Sequence, residues 1–134
     1  LVKSQFSGGI HLHAGDTAQA KDGPSAGLAC TMAMLSLCLN LPLRVGVCMT
    51  GEVDLKGRVH AVGGISAKLN GAVRDGAKIV CIPESNWPCY LRAREACELS
   101  NLVVIAISHV SQVYRDKRLV RHPSRWLKLT KDRD

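Results

Sequence analysis

Aromatic residues are scarce in this 134-residue sequence, which contains two tryptophans, two tyrosines and one phenylalanine. The sequence is nevertheless 46% hydrophobic, so its core has to be built from aliphatic and small side chains. No charge-free apolar run approaches the ~20 residues of a membrane-spanning helix, and we expect no membrane partner. The length fits one domain of ordinary size.

Several binding motifs are also missing. No C-x-x-C pair provides zinc-ligand spacing, and no G-x-x-x-x-G-K-[ST] run provides a Walker-type nucleotide site. Most of the six cysteines lie in apolar runs and are expected to be free thiols, although an even number leaves disulfides open; they are Cys30, Cys38, Cys48, Cys81, Cys89 and Cys97. With no secretory signal and with leucine first, we expect a piece of a longer intracellular protein of the cytoplasm or an organelle matrix.

Acidic residues are rare near the C-terminus. Residues 115–134 contain eight basic and three acidic side chains, a net charge of +5, whereas the whole sequence has a net charge of +7. Such a segment binds nucleic acid or is a solvated extension, and we favour the extension because Trp126 is its single candidate for base stacking. We predict a domain over residues 1–115 and a basic tail over 116–134.

Hydrophobic periodicity predicts an α+β or mixed α/β domain, because adjacent strands come first and strands separated by helices follow. The predicted strands are residues 7–13, 45–50, 52–55, 58–62, 78–83 and 102–107. The predicted helices are residues 25–39, 65–75 and 85–99, with a last one beginning at 109. The first helix is apolar on nearly every side, so we expect most of its surface to be buried.

One polar stretch opens that helix: Lys21-Asp22-Gly23-Pro24-Ser25-Ala26-Gly27. It places a serine hydroxyl where a loop becomes a helix, and the exposed N–H groups of a helix start are able to hold an oxyanion. The same stretch is also typical of an ordinary helix start, with an aspartate cap and a proline in the first turn. The local sequence favours the capping interpretation, so a catalytic role for Ser25 depends on a base elsewhere in the chain.

The five histidines are the usual candidates for that base, and nothing in the sequence selects one of them with an aspartate partner: His11, His13, His60, His109 and His122. Lys68 is the other candidate, because it lies at the edge of the apolar stripe of the helix over 65–75. A lysine there either extends to water, which the spacing alone favours, or loses solvation. Desolvation disfavours the ammonium form and would make Lys68 a neutral base.

Five motifs, taken together and in order, resemble the proteolytic domain of the Lon protease family. They are His11-Leu12-His13, the stretch Lys21–Gly27, Met49-Thr50-Gly51-Glu52-Val53, Gly63-Gly64-Ile65 with Lys68, and Gly76-Ala77-Lys78 followed by Ile82-Pro83-Glu84-Ser85-Asn86. The resemblance covers about residues 8–114 without large gaps. Each motif alone is weak, whereas the set is specific.

The resemblance implies the α+β fold of Lon proteolytic domains and a Ser–Lys dyad with no histidine base and no metal. The family's catalytic serine falls on Ser25 and its catalytic lysine on Lys68. Its threonine that hydrogen-bonds the lysine amine falls on Thr50, and Asp22, Gly23 and Pro24 shape the turn that presents the serine. Ala20 replaces a usual proline, and Ser66 and Ala67 replace two usual charged residues.

The implied function is a serine endopeptidase that hydrolyses unfolded polypeptides as the protease part of an ATP-dependent Lon-type protease. ATP and magnesium would be used by an AAA+ module that this chain does not contain, and the implied assembly is a homo-hexameric ring. The alternative is a catalytically silent assembly or interaction module whose basic tail binds nucleic acid.

Overall fold

The computed structural model of the chain describes residues 8–13 and 23–130. Its helices include α1 (Gly27–Leu39), α2 (Ile65–Arg74), α3 (Trp87–Ala96), α4 (Ser111–Tyr114) and α5 (Pro123–Thr130). Its strands include β1 (Val47–Met49), β2 (Glu52–Val53), β3 (Val59–His60), β4 (Ile79–Pro83) and β5 (Val103–Ile107). Short 3-10 turns over Pro24–Ala26 and Glu84–Asn86 lead into α1 and α3.

The central sheet is parallel, with the strand order β1-β4-β5. Val47 pairs with Ile79, which in turn pairs with Val103. Parallel neighbours need crossover connections, and α2 and α3 provide them on either side of β4 in sequence. The strands β2 and β3 form a separate antiparallel hairpin in which Glu52 pairs with His60. The predicted α+β fold class is confirmed.

Strand β4 divides the core into two clusters because successive side chains of a strand point to opposite faces. Val80 and Ile82 belong to one buried cluster together with Leu69 of α2. Cys81 belongs to the other cluster, which contains Leu28 of α1. Burial raises the pKa of the Cys81 thiol to about 12, so this thiol stays protonated at neutral pH. All six cysteines are free, as expected.

Two predictions about the N-terminal half are wrong. Residues 8–13 of the predicted strand 7–13 form no strand, and Leu12 is 52% exposed; Ser7 lies outside the described residues. A strand forms only where its backbone hydrogen-bonds to a neighbouring strand, so alternation of apolar and polar side chains is not sufficient by itself. Helix α1 forms, but it is not buried on most of its surface: Ala33 is exposed and Leu37 is 56% exposed.

The third correction concerns the predicted basic tail. Its described part, residues 116–130, is not a solvated extension. Leu119, Val120 and Trp126 are fully buried in the same cluster as Cys81. The carbonyl of Asp116 accepts hydrogen bonds from the N–H groups of Leu119 and Val120, which turns the chain back toward the core. A buried Trp126 is also unable to stack on nucleic-acid bases. The predicted domain boundary at residues 115 and 116 stays a prediction.

Two charges of this turn, those of Asp116 and Arg118, are paired. Arg118 hydrogen-bonds the Asp116 carboxylate, with Nη2 at 2.6 Å from Oδ2, and this contact holds the pKa of the Asp116 carboxyl below its usual value. The pairing lets a charged turn lie against an apolar cluster.

No helix among the described residues is long and apolar enough to cross a membrane.

Candidate active site

The turn that presents Ser25 is built from two residues with fixed backbone preferences. Gly23 has a φ of 90°, a region that residues with a Cβ rarely adopt. Pro24 follows as the first residue of the 3-10 turn, where its missing N–H is not needed. Asp22 lies outside the described residues. Ser25 is therefore placed one residue inside the turn, two residues before α1 begins at Gly27.

The chain just after β1 holds this turn in place. The Ser25 carbonyl accepts two hydrogen bonds, from the Gly51 N–H at 2.9 Å and from the Thr50 hydroxyl at 3.3 Å. In return, the Leu28 N–H donates to the Gly51 carbonyl at 2.9 Å. The Thr50 N–H donates to the Cys81 carbonyl at 3.0 Å, so the anchor is continuous with the central sheet.

Lys68 comes to the same region on α2. The helix packs on β4 through Ile65, Leu69 and Ala72, all of which are buried. Lys68 is half-buried at the edge of that apolar stripe, as its spacing predicts. Its own N–H donates to the Gly64 carbonyl at 3.0 Å, at the start of α2. The packing of α2 on the sheet thus sets the position of Lys68.

Ser25, Thr50 and Lys68 all line one cavity of about 380 Å³. Gly23 and Pro24 are not among its lining residues. The Thr50 hydroxyl donates to the Ser25 carbonyl, and the structure records no hydrogen bond from the Lys68 amine within the part of the chain that it describes. The three residues that sequence motifs single out are thus neighbours in space, although 25 and 18 positions separate them in the chain.

The family of the chain follows from a comparison with known proteins. The family model of the Lon protease (S16) C-terminal proteolytic domain matches residues 3–119. The chain belongs to this family. It is 41% identical over 119 residues to a Lon protease of Brucella suis, a match that covers 85% of the chain and 14% of that relative.

Other relatives agree. A Lon protease of Neorickettsia sennetsu is 51% identical over 77 residues, which cover 58% of the chain and 9% of the relative. A Lon protease of Endomicrobium trichonymphae is 40% identical over 104 residues, covering 78% of the chain and 13% of the relative. The chain thus spans about a seventh of the length of the curated relatives that it matches.

Further residues of the Lon domain line the cavity without having been predicted from the sequence. Gly71 and Ala72 come from α2, Asp75 follows the helix as its C-cap, and Cys48 and Val80 come from neighbouring strands of the sheet. The first three could have been found, because they follow Lys68 at intervals of three, four and seven, which share one helix face. The strand residues carry no such signal, since only the pairing of β1 with β4 brings them together.

Two histidines of this Lon domain form hydrogen bonds outside the cavity. His60 lies on the hairpin, where its Nε2 is 2.8 Å from the Asp54 carboxylate. That hydrogen bond, with one from Arg58, holds the pKa of the Asp54 carboxyl far below its usual value. His109 bonds the Lys56 carbonyl at 2.9 Å. Neither histidine lines the cavity.

Proposed function

We propose that this Lon domain is a serine endopeptidase that uses a Ser25–Lys68 dyad. The observation that carries the proposal is that Ser25, Lys68 and Thr50 line one cavity. A nucleophile, a base and a small polar side chain in one concave site are the parts that acyl transfer needs.

In the proposed reaction, the Ser25 oxygen attacks a peptide carbonyl while the unprotonated Lys68 amine takes the hydroxyl proton. The C–O bond forms as the carbonyl becomes a tetrahedral oxyanion. We assign its stabilisation to the N–H groups of Ser25 and Ala26, since the first donors of a helical turn have no partner within it. In other enzymes the loss of one such donor lowers the rate by about 10²–10³.

The tetrahedral intermediate then collapses. The C–N bond breaks, and the Lys68 ammonium returns the proton to the leaving amine. Water attacks the acyl-enzyme with Lys68 again as base, which releases the acid product and restores the Ser25 hydroxyl. The dyad therefore ends each cycle in its starting protonation state, and one water molecule is consumed for each peptide bond that is cleaved.

We also propose that the domain acts as the protease part of an ATP-dependent Lon-type protease. In that arrangement, an AAA+ module outside this chain uses ATP and magnesium to unfold polypeptides and feed them to a homo-hexameric ring. Such a protein works where ATP is present, so we propose an intracellular location in the cytoplasm or an organelle matrix. Alone, the domain should cleave short peptides slowly and folded proteins hardly at all.

The alternative is a catalytically silent module that binds nucleic acid through basic residues near the C-terminus. Arg121, Arg125 and Lys128 are exposed and could contact phosphates, whereas the buried Trp126 could not contact bases. Binding of this kind should be strongly salt-dependent and insensitive to sequence. Nucleic-acid binding by these residues is compatible with peptidase activity, so a DNA-binding measurement alone would not decide between the two functions.

Substitution of the dyad tests the proposed activity. Ser25→Ala and Lys68→Ala should each lower the cleavage of an internally quenched peptide by roughly three orders of magnitude or more. Ser85→Ala and Lys78→Ala are matched controls, because both residues are exposed and neither lines the cavity. Circular dichroism should show unchanged folding in all four variants.

A serine-reactive phosphonate probe gives an independent measurement. We expect it to label Ser25 in the unmodified chain and to lose that labelling in Lys68→Ala, because the hydroxyl is a weak nucleophile without its base. Near-normal turnover by Lys68→Ala would rule out the dyad. Activity that survived in Ser25→Ala would rule out Ser25 as the nucleophile.

A further inference from the structure

One face of α2 runs along the cavity beyond the proposed dyad. Lys68, Gly71, Ala72 and Asp75 all line it, and their spacing places them in one row. At 1.5 Å per residue, Lys68 and Asp75 are roughly 10 Å apart along the helix axis. The cavity therefore has a basic side chain at one position and an acidic side chain two helical turns away.

Asp75 is the one acidic residue among those that line the cavity. The ion pairs among the described residues use the carboxylates of Asp54 and Asp116, and none uses Asp75. Asp75 also occupies the C-cap of α2, where the negative end of the helix dipole disfavours a carboxylate. Its charge does not stabilise the fold in this position, and it stays available to a cation from outside the chain.

The cavity surface between Lys68 and Asp75 is formed by small and apolar residues. Gly71 and Ala72 form the helix side, and Val80 and Met49 contribute from the sheet. A methyl group built on Gly71 would meet only the Arg74 guanidinium, at 4.0 Å. An aliphatic stem could therefore lie along this surface without displacing a core side chain, in the way that long basic side chains cover apolar surface.

We propose that Asp75 makes the site selective for substrates with a lysine or arginine side chain next to the cleaved bond. The inference rests on the proposed peptidase function, since it assumes that the scissile carbonyl lies at Ser25. A lysine side chain spans roughly 6 Å from Cα to its nitrogen. With an ion-pair distance of about 3–4 Å added, its reach of about 10 Å matches the axial separation of Lys68 and Asp75.

Arg74 is the neighbouring cation on α2, and it provides a matched control. It is exposed and does not line the cavity, but its guanidinium lies 4.0 Å from a methyl group built on Gly71, so Arg74→Gln tests whether a nearby change of charge without loss of the carboxylate is enough to remove the preference. Asp75→Asn removes the carboxylate while it keeps the size of the side chain and the backbone N–H that bonds the Gly71 carbonyl. Asp75→Lys, as a second variant, reverses the charge at the same position.

The experiment uses internally quenched peptides that differ at a single position beside the scissile bond. That position holds lysine, methionine or glutamate, of which methionine is the neutral residue of similar length. Because Asp75 is exposed, we expect kcat/KM of the unmodified chain to be about two- to fivefold higher for lysine than for methionine, and lower still for glutamate. Asp75→Asn should remove most of this preference, Asp75→Lys should invert it, and Arg74→Gln, which removes a nearby cation, should not lower it.

Binding provides a readout that does not depend on turnover. The same peptides, carrying a fluorophore, are titrated with Ser25→Ala and with Ser25→Ala combined with Asp75→Asn, and fluorescence anisotropy is measured. The lysine peptide should bind Ser25→Ala more tightly than the glutamate peptide, and the difference should shrink in the double variant. Raised salt should weaken the preference, because it screens the ion pair.

The outcomes separate the two proposals. A lysine preference that persists in Asp75→Asn, or equal cleavage and equal binding of the three peptides, would overturn the selection by Asp75 and leave the peptidase proposal intact. Selective binding without cleavage of any peptide by the unmodified chain would contradict the peptidase function while the recognition by Asp75 stands.

Discussion

The Thr50 hydroxyl is engaged with one neighbour in the structure, the Ser25 carbonyl. A hydroxyl has one hydrogen to donate and two lone pairs that accept. The hydrogen of Thr50 is committed to the Ser25 carbonyl at 3.3 Å, so toward Lys68 the oxygen is able to act only as an acceptor. An amine that donates to that oxygen would turn its lone pair elsewhere, which in the proposed mechanism is toward the Ser25 hydroxyl.

Replacement of Thr50 by valine should therefore reduce peptide cleavage. Valine keeps the shape of threonine but leaves the Ser25 carbonyl with the Gly51 N–H as its remaining donor among those described. We expect kcat to fall by roughly 10–100-fold, because small displacements of a nucleophile have large effects on rate. The free energy of unfolding should fall by about 1 kcal/mol, as measured by urea denaturation.

Thr50→Ser is the matched control, since serine keeps the hydroxyl and loses only the methyl group. Its kcat should stay within a few-fold of the unmodified chain. Equal losses of kcat in the serine and valine variants would show that packing of the methyl group, and not the hydroxyl, matters at this position.

Helix α1 is held on the end of β1 by a close approach of two backbones. A Cβ built on Gly27 would lie 3.3 Å from the Val53 nitrogen, and one built on Gly51 would lie 2.8 Å from a methyl carbon of Val59. Glycine permits this approach because it has no side chain to keep the chains apart. The start of the helix that follows Ser25 is thereby fastened to the hairpin and to the central sheet.

A methyl group at Gly51 should loosen this contact. Gly51→Ala forces Val59 or Leu28 to move, and we expect it to lower the free energy of unfolding by about 1–3 kcal/mol. Peptide cleavage should fall as well, because the Gly51 N–H holds the Ser25 carbonyl. Urea denaturation and a peptide assay measure the two effects.

Gly71→Ala is the control for the general effect of replacing a glycine. Its methyl group meets only Arg74 at 4.0 Å, and alanine favours the helix interior, so stability should rise by up to about 1 kcal/mol. If Gly51→Ala were as stable as the unmodified chain, the close approach would not constrain the site.

At the scale of the whole molecule, the C-terminal segment completes one of the two core clusters. Val120 forms a bridge to Leu43, and Trp126 of α5 lies parallel to the Tyr114 ring with the ring centres 6.2 Å apart. With only five aromatic residues in the chain, a fully buried tryptophan contributes a large share of the apolar contact in its cluster. The cluster also contains Leu28 of α1, so it connects the C-terminal segment to the helix that follows Ser25.

Trp126→Ala should strongly destabilise the domain. Truncation of a fully buried tryptophan typically costs about 3–5 kcal/mol, and thermal unfolding should show a correspondingly lower midpoint. Leu129→Ala, on the same helix but at a side chain that is 44% exposed, should change stability by no more than about 0.5 kcal/mol. A Trp126→Ala variant as stable as Leu129→Ala would mean that α5 does not belong to the folded unit.

Most of the helices and strands could be predicted from the sequence because their signals are local. The apolar stripe of α2 and the alternation around Lys56-Gly57 reflect periods of 3.6 and 2 residues. The strands β4 and β5 are marked instead by short continuous apolar runs, although only β4 is buried along most of its length. The strand predicted for residues 7–13 had the same kind of signal and is absent from residues 8–13. Alternation describes which side chains could share a face, but a strand also needs a partner to pair with its backbone.

The sequence by itself determined the family, the fold class and the choice of Ser25, Lys68 and Thr50, because these depend on residue identity and order along the chain. The tertiary structure alone decided that the three share a cavity with Asp75 and that the basic segment near the C-terminus belongs to the core. Both facts depend on which surfaces α2 and α5 pack against. Packing joins residues far apart in the chain, and no local period records it.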